Sequence, residues 1–418
     1  MSVLERPPAE RRSRSWRQAL RQPFWILFGL WLAGLVVDRL WFAVDRSMPA
    51  WDQADYLNGA LHYWRMFGES NRFSPDWWQQ FWVAAPKIPP LTYVFSLPFF
   101  ALFGPGIQTA TLVHVLHSAL LLSGVYGLGR QLFDDRVGLK AAALCVVLPG
   151  LYPLRLDYLL DYPVAAMVTF TLFLMTGWVR GRQRRSRLGS ARRWLLAIAT
   201  GFWFGLAMLT KQTALLFLLV PFLLVGLEAL GRRRWGQLGQ WLVAALVAWG
   251  VLRPWFVANW LLILTSSKRA TVDSAVKEGD PTLLSPEAWL FYLRQIPAQI
   301  GWPILAGAIA GFFFLAIRSL LRVFADRTSS VRGSSDLTAT DRPMSTPWPK
   351  KDRLLTGSLP WLVAFLLGAY LLNSLNPNKD ARYIAPYLPV LSLFLAYGLS
   401  LWPRRLSWLP KGRSPSHA

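Results

Sequence analysis

Ten apolar segments, each near the roughly 20 residues a helix needs to cross about 30 Å of hydrocarbon, recur along this sequence and dominate what it can fold into. They lie at 24–44, 108–132, 136–154, 160–180, 193–210, 212–230, 238–263, 300–322, 355–374 and 384–402. In lipid each backbone amide must find its partner inside the protein, so such a series folds as helices. Composition agrees, since 54% of the 418 residues are apolar, 16% are charged and 23 are Trp. A soluble two-domain protein is excluded on those grounds. The expected architecture is an all-α polytopic membrane bundle of about 10 to 11 transmembrane helices.

Charge places the loops. A net charge of +23 raises the question of nucleic acid. Here the cations stand in short runs between apolar segments, as in "RGRQRRSRLGSARR" and "GRRRW". That is the positive-inside pattern of cytoplasmic loops, so the partner it indicates is the bilayer and not nucleic acid. The Arg-rich N-terminus has no small-residue cleavage site after its first apolar segment and reads as an uncleaved signal anchor. The stretch "PPLTYVFSLPFFALFG" at 89–104 is short and holds three prolines. Counting it as a span would move the Arg-rich runs outside, so it is expected to be re-entrant or interfacial. Both termini then fall in the cytoplasm.

The chain is expected to form one transmembrane unit over 1–418. It has a long outer loop at 45–107 bearing interfacial helices, a second outer loop at 264–298, and a flexible cytoplasmic loop at 323–353 rich in Ser, Thr, Pro and Arg. Cys145, the single cysteine, reads as a small buried hydrophobe. The adjacent Asp38 and Arg39 are expected to neutralise each other or to lie near the interface.

The outer turns carry few cations, and those they carry recur beside carboxylates, Tyr and Pro. In "WDQADYLNGALHYW" at 51–64, Asp52 reads as the N-cap of an interfacial helix with Asp55 in its first turn. The indoles of "DWWQQFW" suit the headgroup belt. Asp157 and Asp161 would share a helical face if the turn between them were helical. Lys87, Lys211, Lys379 and Arg382 come from different outer loops, and each can be read as a snorkelling side chain. Independent snorkelling gives no reason for carboxylates beside them. The alternative is one site that gathers acids to take a proton from an acceptor hydroxyl and cations to receive a departing phosphate. His114 and His117, three apart on one span, read as satisfied intramembrane histidines.

Five short blocks in order give the chain a resemblance to a known family. They are "DQADYLNGA" at 52–60, "KIPPLTYVFSLPFFALFG" from Lys87, "LLDYPVAAMVTFTLFLM" around Asp161, "GLAMLTKQTALLFLLVP" around Lys211, and "DARYIAPYLPVLSLFLAYGL" from Asp380. Together they resemble the GT-C superfold glycosyltransferases, especially the family of dolichyl-phosphate-mannose protein mannosyltransferases and lipid A aminoarabinose transferases. Gln53 stands where many members have Glu, and the family's Lys-Pro-Pro is spread to "KIPP".

The resemblance implies a hexosyl- or pentosyltransferase that moves a sugar from a polyprenyl-phosphate donor, with inversion, to a lipid, glycan or protein acceptor outside the cytoplasm, in a bacterial inner membrane. It implies that Asp52 takes the acceptor's proton and that Asp161 organises the site. Lys87, Lys211 and Arg382 would hold the phosphate with Tyr383, and Asp55, Tyr56 and Asp157 would contact substrate. No His-rich or acidic cluster stands at ligand spacing, so no metal or other cofactor is assigned, although some GT-C enzymes use a divalent cation. A flippase or transporter of lipid-linked sugars is the rival reading. It should show internal symmetry and midplane sites, whereas these acids gather at one face.

Overall fold

The computed structural model describes residues 8–45, 47–183, 189–332 and 359–402; over 8–21, 181–183, 322–332 and 359 it describes the backbone path alone. The chain is mainly helical over these residues, with no strand among them. Helix α1 (Pro8–Val44) carries the first apolar segment and is followed by α2 (Asp52–Met66), α3 (Pro75–Val83) and α4 (Leu91–Phe103). A single turn, α5 (Ile107–Ala110), leads into α6 (Val113–Leu132), then α7 (Asp135–Val147) and the short α8 (Tyr152–Leu156). Three long helices come next, α9 (Asp161–Gln183), α10 (Ser190–Thr210) and α11 (Ala214–Gly231). Beyond them run α12 (Trp235–Lys268), a π-helical turn at Arg269–Asp273, α13 (Ser274–Glu278), α14 (Pro286–Ile300) and α15 (Trp302–Arg332). The described chain ends with α16 (Leu359–Ser374), a 3₁₀ helix at Ala381–Tyr387, and α17 (Leu388–Ser400).

Eight helices among the described residues are long and apolar enough to cross a membrane, and the chain is a multi-pass membrane protein. Two of the ten expected spans are shorter. The segment 136–154 breaks after 13 residues of α7, because Pro149 drives Leu148 out of the helical region to φ −59°, ψ 127°. The Gly150 amide then donates to the Gln299 carbonyl at 2.9 Å, which turns the chain back under α14. α16 is 16 residues long, and residues 355–358 of its expected span lie outside the described residues. The segment at 89–104 forms α4, whose 13 residues reach only about 20 Å.

The expected loop at 264–298 is mostly helical. Nothing between Leu264 and Glu278 is Gly or Pro, so the helix begun at Trp235 runs on through its π turn for 44 residues in all. It stops at Gly279, whose φ of 74° is the left-handed cap that glycine adopts without strain. Of the expected loop 323–353, the backbone is helical to Arg332, and 333–353 lies outside the described residues.

α9 is the most enclosed of the membrane helices and packs against α6, α10, α11, α17 and the 3₁₀ helix. α12 and α15 are the least enclosed, and their apolar side chains face outward as lipid-facing surfaces do. Small residues allow the tight crossings between helices. A Cβ at Gly201 would lie 2.2 Å from the Ala244 carbonyl, so α10 and α12 touch there backbone to backbone. At one end of the bundle four pieces of chain meet: the start of α2, the start of α9, the α10–α11 turn and the 3₁₀ helix.

Candidate active site

Three acid–base pairs that join separate elements of the chain occupy that end. Arg382 donates through Nη2 to Asp52 Oδ2 at 2.6 Å. Lys211 donates through Nζ to Asp161 Oδ1 at 2.7 Å. Lys87 Nζ lies 3.5 Å from Asp55 Oδ2. Each sits where a helix starts or stops. α10 ends at Thr210 and α11 begins at Ala214, which leaves Lys211 in an extended turn residue at φ −158°, ψ 133°. In the same turn Gln212 Nε2 donates to the Lys87 carbonyl at 2.9 Å, tying the α3–α4 connection to the Lys211 turn.

Asp52 is not the expected N-cap. It is the first helical residue of α2, and the cap position falls to Trp51 at φ 48°, with no side-chain cap bond. The carboxylate reaches Arg382 instead of the free amides. Asp157 and Asp161 do not share a face, because Asp157 is extended (φ −90°, ψ 143°) and ends α8 while Asp161 begins α9. Asp157 meets the Gln53 side chain, and burial pushes its carboxyl above the usual range against that amide's pull. Tyr56 is buried against Tyr93 with ring centroids 6.4 Å apart. Its phenol is held well above its usual value, by burial first and then by the charges of Asp52 and Asp161. The Tyr383 ring faces Lys211 Nζ at 5.4 Å and the Arg382 guanidinium at 5.8 Å.

Sequence reasoning missed Asp380. Its Oδ2 accepts from Arg382 Nε at 2.7 Å, and its Oδ1 accepts from the Arg382 backbone amide at 2.9 Å, capping the 3₁₀ helix. The Asp-x-Arg spacing was the available signal, since an Asp readily bonds the amide two residues on. Asp38 and Arg39 do not neutralise each other, because neighbours on a helix point about 100° apart. Asp38 instead takes a two-pronged bond from Arg155 at 2.6 and 2.8 Å, while Arg39 donates to the Gln108 carbonyl at 3.0 Å. Lys379 does not snorkel outward: its Nζ donates to the Ser374 and Asn376 carbonyls at 2.6 Å, satisfying the C-terminus of α16. His114 and His117 are only half satisfied: His114 Nε2 donates to the Asp157 carbonyl and His117 Nδ1 to the Val113 carbonyl, each at 2.9 Å, while His114 Nδ1 and His117 Nε2 are buried without a partner. Among the described residues no group of three or more His, Cys, Asp or Glu is placed to hold a metal.

Electrostatically, Arg382 is the centre. It feels the carboxylates of Asp161, Asp380 and Asp52 at once. Every cation in the cluster already has an acid. Asp161 keeps one oxygen, Oδ2, buried and without a partner.

Residues 87–257 match the family described as dolichyl-phosphate-mannose-protein mannosyltransferase. Two solved structures of ArnT from Cupriavidus metallidurans are similar to this chain in fold. The apo state aligns with a TM-score of 0.57 at 17% identity over 90% of this chain and 60% of that one. The form bound to undecaprenyl phosphate aligns at 0.56 and 16%, over 92% and 61%. The archaeal oligosaccharyltransferase AglB from Archaeoglobus fulgidus, in complex with an inhibitory peptide and a dolichol-phosphate, aligns at 0.50 and 14%, over 90% and 50%. The chain spans about three fifths of the length of the ArnT structures. No curated protein sequence matches it. The fold is that of the GT-C superfold of glycosyltransferases.

Proposed function

We propose that this chain is a membrane glycosyltransferase that moves a sugar from a polyprenyl-phosphate donor to an acceptor hydroxyl on the extracytoplasmic face. One observation carries the reading: Arg382 bonds Asp52 from 330 residues away, beside the Lys211–Asp161 pair. On this reading the pairs bring a base together with groups that would receive a phosphate. The family match over 87–257 and the fold shared with structures holding undecaprenyl phosphate and dolichol-phosphate support the donor class.

In this reading Asp52 accepts the acceptor's proton as the hydroxyl oxygen bonds to the sugar's C1. The C1–O bond to phosphate breaks on the opposite face, its electron pair stays on the phosphate oxygen, and the configuration at C1 inverts. Arg382 and Lys211 stabilise that oxygen, with Lys87 at the rim. Asp161 Oδ2 accepts from a sugar or acceptor hydroxyl, and the phenol of Tyr56, kept protonated, donates to the same substrate. Asp55 and Asp157 line the approach. The prenyl chain lies between lipid-facing helices. The sugar is a hexose or pentose, the acceptor a lipid, glycan or protein, and the setting a bacterial inner membrane with both termini cytoplasmic.

The experiment is transfer by the purified protein in nanodiscs, with radiolabelled polyprenyl-phosphate sugars and a panel of lipid and peptide acceptors. Product of inverted anomeric configuration is expected. Transbilayer movement of the intact donor in vesicles, without transfer, would replace this reading with the flippase.

A further inference from the structure

The segment that carries Lys87 is held by side chains of other elements. Residues 84–90, "AAPKIPP", connect α3 to α4, and their three prolines have no N–H to give. Among the described residues, no bond from one backbone group to another holds residues 85–89. The carbonyls of this stretch and of the last turn of α3 accept from outside instead. Tyr63 of α2 donates its hydroxyl to the Phe81 carbonyl at 2.9 Å. From α12, Asn259 Nδ2 donates to the Trp82 carbonyl at 2.7 Å and Trp255 Nε1 to the Ala85 carbonyl at 3.1 Å. Gln212 takes the Lys87 carbonyl itself.

Two of these donors come from a helix that otherwise faces outward. Only Gln240, Ala244, Trp255 and Asn259 of α12 are buried. Trp255 and Asn259 stand four apart and so share one face, the one that packs on α3. An indole has a single N–H, and that of Trp255 goes to the connection before Lys87. The Asn259 amide nitrogen carries two hydrogens and makes two bonds, one to Trp82 and one at 2.9 Å to the Trp255 carbonyl a turn back on its own helix. The amide therefore bridges α12 to the end of α3. Packing alone does not require these donors, since Phe would fill the place of Trp and Leu that of Asn.

We propose that Trp255 and Asn259 are positioning residues for Lys87, fixing through the Ala85 and Trp82 carbonyls the backbone from which its ammonium reaches the donor's phosphate. The Lys87 side chain is 58% exposed, so the place of its anchor decides what the ammonium can reach. That anchor is held on two sides, by α12 and by the Lys211 turn. Trp255 and Asn259 act through the backbone of the connection, and no covalent bond is made or broken in this role. The inference rests on the donor reading above and adds to it two residues that lie outside the three ion pairs.

The test is steady-state transfer at low salt by the purified protein in nanodiscs, with radiolabelled polyprenyl-phosphate sugars as donor. Trp255→Phe removes the indole N–H, and Asn259→Leu removes the amide while keeping the size. Each is made in the unaltered protein and in Lys87→Ala. Both single variants are expected to raise the KM for donor several-fold, with kcat and the KM for acceptor little changed, and the rise should shrink as ionic strength grows. In the Lys87→Ala protein neither should raise that KM further, because the charge being placed is gone. A purely structural role would act in both backgrounds alike. An equal rise with and without Lys87, or no rise in a single variant that folds, overturns the positioning role and leaves the donor reading in place; where Trp255→Phe does not fold, Asn259→Leu decides. Failure of the unaltered protein to transfer from any polyprenyl-phosphate sugar overturns the donor reading and this inference with it.

Discussion

The Lys211–Asp161 pair and the Lys87–Asp55 pair have the same chemistry and differ in almost everything else. The first is 2.7 Å long with side chains 10% and 3% exposed; the second is 3.5 Å long with side chains 58% and 60% exposed. Water and salt screen the outer pair, so it contributes little to stability and is free to exchange partners. At the inner pair each charge is desolvated and depends on the other, so it shapes the fold as well as the chemistry. The Arg382–Asp52 pair lies between them, at 26% and 41% exposed. Buried, half-buried and exposed cations are thus laid out from the α9 end to the rim.

Breaking the inner pair should have the largest effect. Lys211→Met leaves the Asp161 carboxylate buried and unpaired, which costs about 3–5 kcal/mol and should appear as a large fall in melting temperature in detergent. The double variant Asp161→Leu with Lys211→Met removes both charges and should recover most of that stability while transfer stays abolished. A double variant as unstable as the single would show that the pair's packing, not its charge, decides. The Asp38–Arg155 pair, equally buried at 2.6 Å, lies apart from the site. Asp38→Leu should therefore destabilise by a similar 3–5 kcal/mol and leave the KM for donor unchanged in the protein that folds.

At the rim, Lys87→Ala should move stability by no more than about 0.5 kcal/mol. It should raise the KM for donor at low salt, and the difference should shrink as ionic strength rises. An effect on melting as large as that of Lys211→Met would erase the distinction between the pairs. The smallest expected signal comes from Asp157, whose carboxyl is held above its ordinary value of 3.8. The neutral form is the one the fold prefers, so its contribution is complete below that pH and is lost as pH rises through the higher folded value. Melting curves of Asp157→Asn should lack this decline and gain on the unaltered protein between acid and neutral pH.

Much of this was legible in the sequence, for reasons that particular residues make plain. Span length defined the multi-pass bundle, because hydrocarbon thickness is a constraint every segment meets alone. The break at Pro149 and Gly150 was written there too, but an apolar average over 136–154 hides two residues that act through backbone geometry. The five blocks carried the acids and cations of the site, and none of them said which acid meets which cation. Arg382 and Asp52 are joined by tertiary packing across 330 positions, and Asp38 meets Arg155 across 117; local pattern holds no trace of either. Asp52 illustrates the conflict most clearly. Its position favours an N-cap, and a cation from the far end of the chain outweighs the local preference.

The central claim is that Asp52 takes the proton, and single-turnover transfer with Asp52→Asn tests it most directly. With donor saturating and bound, the account predicts a rate about 10²–10⁴ lower than that of the unaltered protein. An equal rate in the two proteins would contradict it.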